Sequence, residues 1–409
     1  MMKVSPSVDS VRGFQVAGVH AGLKKDGALD FSLVASEVDC VAAGVFTRNK
    51  VKAAPVLLDM QRLEENPKSI RAVATNTVSA NACTGAVGLK NARATANLVA
   101  DALSIVAEQV LVMSTGVIGT HLPMDKIARG VELARANLGS DWRAAAAGIM
   151  TTDTRPKLGS VTVETAEGAY TIAGMVKGAG MIAPNMATML SVIVTDAELS
   201  PPDLQSSLRA AAQQSYNRVV VDGDTSTNDT VLLLANGVSG AALAGEEELE
   251  AFQEALNALT RFLAQEVVRD GEGVTKFITL NIVNAESEAD AEKIGQTIGA
   301  SVLTKSAFYG SDANWGRIMA AAGRADVPLD PDSASLWVAA GESVASNAPG
   351  LEIFSGGMPT DYREEEAAAI MAEAAISFTL DCGIGDGGAT IWTCDISHEY
   401  ISINGDYRS

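Results

Sequence analysis

Apolar residues along the chain recur in two rhythms. Between about Glu246 and Val268, the residues Leu249, Phe252, Leu256, Leu259, Leu263 and Val267 step by three and four. That spacing lines one face of an α-helix. The same rhythm predicts helices over Thr84–Leu103, Met124–Leu138, Pro202–Gln214, Ser287–Ile298 and Tyr362–Ala375. Short runs rich in β-branched residues predict strands at Cys40–Thr47, Val110–Met113, Val161–Thr165, Ser191–Thr195, Val219–Val221, Val231–Leu234, Phe277–Val283 and Ile391–Cys394. Helical and strand patterns alternate, which predicts an α/β protein. No repeat, low-complexity tract or domain boundary shows.

Composition narrows the function classes. Of 409 residues, 47% are hydrophobic and 20% charged, enough apolar surface for a large core. Thirty Lys and Arg against fifty Asp and Glu give a net charge of −20. That balance argues against tracking nucleic-acid phosphates or docking on anionic lipid. The start MMKVSPSVDSVRGFQVAG has no apolar segment of signal-peptide length. Four scattered cysteines, with no CxxC, fit a reducing cytoplasm. His20, His121 and His398 share no metal-ligand spacing, so neither a metal nor a tightly held cofactor is expected.

Two Gly/Asp-rich segments carry bland readings. Gly383-Ile-Gly-Asp-Gly-Gly388 leads into a strand pattern rather than a helix, so a hairpin turn is expected instead of a dinucleotide loop. Asp222-Gly-Asp-Thr-Ser-Thr-Asn-Asp229 lacks the glycine and glutamate that a calcium loop places at positions six and twelve.

Lys177-Gly-Ala-Gly-Met-Ile-Ala-Pro-Asn-Met-Ala-Thr188 is different. This glycine-bearing run delivers Thr188 to the edge of a buried strand. A threonine hydroxyl needs a base to become a nucleophile, and histidine is scarce here. A threonine freed as a new N-terminus carries its own base, an α-amine that titrates near 7.7–8.0. Breaking the Ala187–Thr188 bond by an N→O acyl shift would create it. Acyl transfer also needs oxyanion donors, and Thr115 with the unhindered Gly116 N–H in Met113-Ser-Thr-Gly-Val-Ile-Gly119 can supply two. The hydroxyl-rich Thr151-Thr-Asp-Thr-Arg-Pro-Lys157 follows. Then come Glu272, between two glycines after the long helix, and the terminus Tyr400-Ile-Ser-Ile-Asn404-Gly-Asp-Tyr-Arg-Ser409. The apolar/polar alternation of that terminus suggests an end tied down rather than frayed. Each of these alone also fits an ordinary turn, loop or tail.

Together, in this order, the five elements resemble the ArgJ-type ornithine acetyltransferase family, the glutamate N-acetyltransferases of arginine biosynthesis. Gly13-Phe-Gln-Val-Ala-Gly18, Phe46-Thr-Arg-Asn-Lys-Val-Lys-Ala-Ala-Pro55, Asn81-Ala-Cys-Thr-Gly85 and Gly310-Ser-Asp-Ala-Asn-Trp-Gly-Arg317 extend the resemblance over essentially the whole chain. One departure is the segment Ala74-Thr-Asn-Thr-Val-Ser-Ala-Asn81, which lacks a glycine the family often carries there.

The resemblance implies a layered α/β sandwich with stacked sheets flanked by helices, resembling the N-terminal-nucleophile hydrolases. It implies self-cleavage between Ala187 and Thr188 into an α chain, 1–187, and a β chain, 188–409, assembled as an α2β2 heterotetramer. Thr188 would be the nucleophile and acetyl carrier, with Thr115 and Gly116 the oxyanion hole. Substrate would be bound by Thr151 (Thr152 is the neighbouring register), Lys177, Thr188, Glu272, Asn404 and Ser409. The implied ping-pong reaction moves acetyl from N2-acetylornithine to glutamate without ATP. Acetyl-CoA would be a second donor in a bifunctional member, although no adenine-nucleotide motif is visible. Two other readings stand beside this one. The first is an amide hydrolase or aminopeptidase with an N-terminal threonine nucleophile; the second is an uncleaved metabolite-binding or scaffolding protein in which Thr188 is merely structural.

Overall fold

The computed structural model describes residues 2–165, 168–183, 189–342 and 350–405. The described chain forms two compact units. Residues 2–165, 168–178, 189–217 and 225–267 make the first, and 179–183, 218–224, 268–342 and 350–405 the second.

The first unit runs β1 (Phe14–Val19), β2 (Phe31–Phe46), α1 (Ala54–Glu65), β3 (Ile70–Asn76), α2 (Gly85–Leu103), β4 (Val110–Ser114), α3 (Met124–Ala136), α4 (Trp142–Ala147), β5 (Lys157–Thr165), β6 (Gly168–Lys177), β7 (Leu190–Thr195), α5 (Pro201–Gln214), β8 (Thr230–Ala235) and α6 (Glu246–Arg269), the last belonging to it through Val267. Its strands are ordered β4-β3-β2-β8-β7-β6-β5, with β1 also on β2. The pairs β3–β4 and β7–β8 are parallel and the others antiparallel.

β2 is the hinge of this architecture. Its first half pairs with β1 and β3, its second half with β8, and the register shifts between Ala35 and Cys40. The exposed Glu37, Val38 and Asp39 fill that bulge. A bulge bends a strand and re-aims it, so one strand contributes to two stacked layers. A single core draws Val16, Val34, Val73 and Leu111 from one half and Met175, Val192, Val194 and Leu232 from the other. The opposite face of the first half packs Leu33, Ala72, Ala74 and Val112 against Leu58, Ala96, Val99, Ile127 and Val131 of α1–α3. The opposite face of the second half meets α5 and α6. Tyr170 packs on Phe252, and Leu263 lies where Gly174 leaves room. The layers are therefore helix, sheet, sheet, helix, as expected.

Local signals explain the helix starts. Ser200 caps α5 by accepting from the Asp203 N–H, and Pro201 fits a first turn. Three glutamates open α6 and Arg269 ends it, complementing the helix dipole.

The second unit contains β9 (Phe277–Ala285), α7 (Glu288–Gly299), α8 (Val302–Tyr309), α9 (Trp315–Gly323), β10 (Ser335–Ala340), β11 (Leu351–Ser355), β12 (Met358–Pro359), α10 (Glu364–Met371), β13 (Ala375–Asp381), β14 (Gly387–Cys394) and α11 (His398–Gly405). Its sheet is ordered β12-β11-β10-β13-β9-β14, with β13–β9 parallel. One core joins Ile278, Leu280, Leu336, Ile353, Phe378 and Ile391 of the sheet to Ile294, Phe308, Ile318 and Met371 of the helices.

Several expectations need correction. The run 383–388 is not a hairpin, because β13 and β14 flank β9 and do not pair with each other. Its glycines pass hard against the backbone instead, since a Cβ on Gly385 would fall 2.3 Å from the Ala285 carbonyl oxygen. Val219–Val221 forms a single bridge, Val219 to Trp392, rather than a strand. The helix expected over 362–375 spans only Glu364–Met371, and Ala375 already opens β13. The alternation near the C-terminus lies in a helix, α11. Among the described residues no helix is long and apolar enough to cross a membrane.

Candidate active site

Candidate residues fall into both units. In the first unit, β4 ends at Ser114 and turns through Thr115 and Gly116. The turn is fixed from behind. Thr115 N–H donates to the Asn76 carbonyl (3.0 Å) and Val117 N–H to the Val78 carbonyl (2.9 Å). The Ser114 hydroxyl donates to Asn76 Oδ1 (2.6 Å), and Asn228 Nδ2 donates to the Ser114 and Ala80 carbonyls (2.7 and 2.6 Å).

Gly116 has φ +129°, and a Cβ there would sit 2.2 Å from the Val78 carbonyl carbon. Only glycine fits. Among the described residues nothing accepts the Gly116 N–H.

The departure noted at 74–81 has a structural counterpart. Val78, a β-branched residue, has φ +74°, and Ser79 N–H donates to the Thr77 carbonyl across it (2.9 Å). This is the rare positive-φ γ-turn, which is strained. It presses the Val78 carbonyl against Gly116.

Lys177, the last residue of β6 and 2% exposed, donates from Nζ to Thr115 Oγ1 (3.3 Å). A hydroxyl that accepts from a cation keeps its own proton free to donate, and donates it more strongly. Thr115 and Gly116 thus offer an O–H and an N–H from adjacent residues, as an oxyanion site requires.

Asp153 organises the neighbouring segment. Its carboxylate accepts from Lys157 Nζ (2.7 Å), Gly178 N–H (2.7 Å) and Thr151 N–H (2.9 Å), and both ion-pair side chains are fully buried. Burial alone would raise this carboxyl. The charges of Lys177 and Lys157, with these hydrogen bonds, more than offset it and hold Asp153 far below the usual carboxylate range. Thr151 and Thr152 are both half-buried beside it.

In the second unit, Glu272 follows the end of α6. Its N–H donates to the Ala179 carbonyl (2.9 Å), and its Oε2 accepts from Asn404 Nδ2 (2.7 Å). A Cβ on Gly180 would lie 2.4 Å from Glu272 Oε2, so glycine there admits the carboxylate. Ser397 donates to the Gly273 carbonyl (2.6 Å) and Tyr400 to Asp222 (3.3 Å), so 397–405 is tied down. The structure joins Glu272 to Asn404 and Lys177 to Thr115. Ala187, Thr188 and Ser409 lie outside the described residues.

Reading the sequence alone missed three aspartates. Asp153 was passed over inside a hydroxyl-rich loop. Asp222 and Asp229 were dismissed with the calcium-like segment, yet they hold the chain on either side of residues 184–188. Asp222 accepts from the Met181 and Ile182 N–H groups (2.5 and 2.8 Å) in the second unit, and burial pushes its carboxyl upward. Asp229 accepts from the Met189 N–H (3.0 Å) in the first. Their position seven residues apart, flanking hydroxyls, was the available signal.

The ArgJ family model matches residues 15–409. The chain is 46% identical to the arginine biosynthesis bifunctional protein ArgJ of Thermotoga neapolitana, over 97% of this chain and 99% of that protein. It is 44% identical to the protein of the same name from Geobacter sulfurreducens, over 98% and 100%. Among solved structures it is similar to ornithine acetyltransferase from Mycobacterium tuberculosis, complexed with ornithine, at 45% identity over 45% of this chain and 98% of that one, with a TM-score of 0.42. The chain belongs to the ArgJ family, the acyltransferases of arginine biosynthesis.

Proposed function

We propose that this acyltransferase moves acetyl from N2-acetylornithine to glutamate through an ester on Thr188, after cleaving itself between Ala187 and Thr188. The observation that carries this reading is the Thr115–Gly116 turn. An O–H polarised by Lys177 stands beside an N–H that nothing in the described protein accepts.

In the proposed reaction the Thr188 hydroxyl oxygen bonds to the acetyl carbonyl carbon while the α-amine of Thr188 takes its proton. The carbonyl oxygen becomes an oxyanion held by Thr115 and Gly116, each such donor being worth roughly 100- to 1000-fold in rate. The intermediate collapses, the ornithine nitrogen leaves with the proton, and acetyl remains on Thr188. The amine of glutamate then attacks this ester by the same steps in reverse. Lys177, with Thr151 or Thr152, suits a substrate carboxylate. Glu272, with Asn404 and Ser409, suits the substrate ammonium and polar groups.

Cleavage would leave chains 1–187 and 188–409 interlocked, because β7 pairs with β6 along its length. An α2β2 assembly in the cytoplasm, with acetyl-CoA as a second donor, completes the proposal.

Ornithine release from N2-acetylornithine, measured with and without glutamate, tests it. Release that depends on glutamate is expected. Equal release in both would instead identify an amide hydrolase.

A further inference from the structure

β4 is the edge of its sheet, and among the described residues no strand lies beyond it. Past its end, Thr115 N–H turns inward to the Asn76 carbonyl at the end of β3. The even-numbered residues of β4 face the other way, and side chains meet them there. Arg62 Nη1 of α1 donates to the Val110 carbonyl, and Asn228 Nδ2 to the Ser114 carbonyl (2.7 Å). Between these two, the Val112 N–H donates to Asp59 of α1, with both carboxyl oxygens in reach (2.9 Å to Oδ1, 3.2 Å to Oδ2). Asp59 and Arg62 are three residues apart on one helix and so share a face. They give β4 the acceptor and the donor that a further strand would have supplied.

Asp59 is fully buried, and Val112 is the one hydrogen-bond partner of its carboxyl among the described residues. Burial drives that carboxyl well above its ordinary range, against the weaker pull of the Val112 N–H and the Arg62 charge. Such burial costs stability. What it supplies is a pair of acceptor oxygens around one N–H, which resists displacement of that N–H to either side. With Arg62 on the carbonyl two residues earlier, α1 grips β4 at two points.

The strand so gripped carries the Thr115–Gly116 turn. From Val112 to Thr115 is three residues, roughly 10 Å along an extended strand. Hydrogen bonding to β3 runs through Ser114, so a displacement at Val112 is carried on to the turn.

We propose that Asp59 is a positioning residue for acetyl transfer. Through the Val112 N–H it sets where β4 places the Thr115 hydroxyl and the Gly116 N–H. This rests on the reading of that turn as the oxyanion site. Misplacing a group at the reacting centre by about 1 Å costs on the order of 100-fold in rate.

Asp59→Ala removes the acceptor, whereas Asp59→Asn keeps one oxygen in its place without the charge. Leu208→Ala, a truncation of a fully buried side chain on α5 in the other helix layer, is the comparison for lost stability alone. All are assayed by steady-state acetyl transfer at a temperature where circular dichroism shows them folded. Asp59→Ala should lower kcat about 10- to 100-fold while leaving KM for acetylornithine and for glutamate within about 3-fold. Asp59→Asn should recover most of kcat. Leu208→Ala should lower Tm and keep the wild-type kcat. A wild-type kcat in Asp59→Ala, or Asp59→Asn no better than Asp59→Ala, overturns the proposal.

If Asp59→Ala fails to fold, Asp59→Glu decides beside Asp59→Asn. Its extra methylene moves the acceptor toward β4 by about 1.5 Å, so kcat should fall at least about 10-fold although the charge is kept. Full kcat from Asp59→Glu overturns the proposal. Gly116→Ala tells the two readings apart. Normal kcat there refutes the oxyanion site itself, whereas a loss there with Asp59→Ala unaffected refutes the positioning role alone.

Discussion

Two glycines three residues apart separate the effect of a site from the effect of a backbone angle. Gly116 has φ +129° and Gly119 φ +84°, both in the region unfavourable for a side chain. A Cβ on Gly116 meets the Val78 carbonyl carbon and oxygen at 2.2 and 2.4 Å, and the Ser79 nitrogen at 2.7 Å. A Cβ on Gly119 meets nothing within 4 Å. Alanine at either position costs about 1–3 kcal/mol in backbone strain. At 116 the clash must also push the turn off Val78. That breaks the Val117–Val78 hydrogen bond, worth about 0.5–1.5 kcal/mol, and carries the Gly116 N–H away from the oxyanion. Loss of that donor should lower kcat by roughly 100- to 1000-fold. Gly119→Ala should lose stability but keep kcat within about 3-fold. The assay is steady-state acetyl transfer, with cleavage followed by denaturing mass spectrometry and folding by circular dichroism. If Gly116→Ala keeps near-normal kcat, or Gly119→Ala loses as much, the Thr115–Gly116 turn is not the oxyanion site.

At Val78 the usual order of alanine and glycine should reverse. Because φ is +74°, Val78→Gly should be more stable than Val78→Ala by about 1 kcal/mol or more in thermal unfolding; equal stability would contradict the strained turn. Asp153→Asn leaves Lys157 buried without its counter-charge and should cost roughly 3–5 kcal/mol. With Asp153 depressed in the folded state, its contribution is complete above the ordinary aspartate range near pH 4 and is lost as pH falls below it. The acid limb of wild-type stability should therefore be steeper than that of the variant, and matching slopes would count against the pairing. Glu272→Gln removes the charge proposed for the substrate ammonium and should raise the KM for acetylornithine about 10-fold or more with a smaller change in kcat. An unchanged KM would remove Glu272 from the substrate site.

The long periodic elements were legible in the sequence because one side of each is buried. The stripe of α6, the β-branched run of β7 and the body of α5 all lie where the patterns placed them. β2 was half missed because Ser36–Asp39 reads as a polar boundary, whereas the strand continues through a bulge. α1 was missed because Pro55 reads as a breaker, although proline suits a first turn. β13 and β14 were misread because spacing along the chain does not reveal that β9 lies between them. At the site, residue types suggested Thr115, Gly116 and Glu272, and the family resemblance added Lys177 and Asn404. Asp153, Asp222 and Asp229 stayed hidden, since an aspartate that holds a backbone N–H looks like any loop aspartate until the chain is folded.

Everything in the proposed chemistry follows from one new chain end. The direct measurement is the intact mass of purified protein under denaturing conditions, beside that of Thr188→Ala. Active wild type is expected as two chains, residues 1–187 and 188–409, and Thr188→Ala as a single inactive chain of 409 residues. Full activity from an unbroken wild-type chain, or cleavage that persists without the Thr188 hydroxyl, would contradict the account.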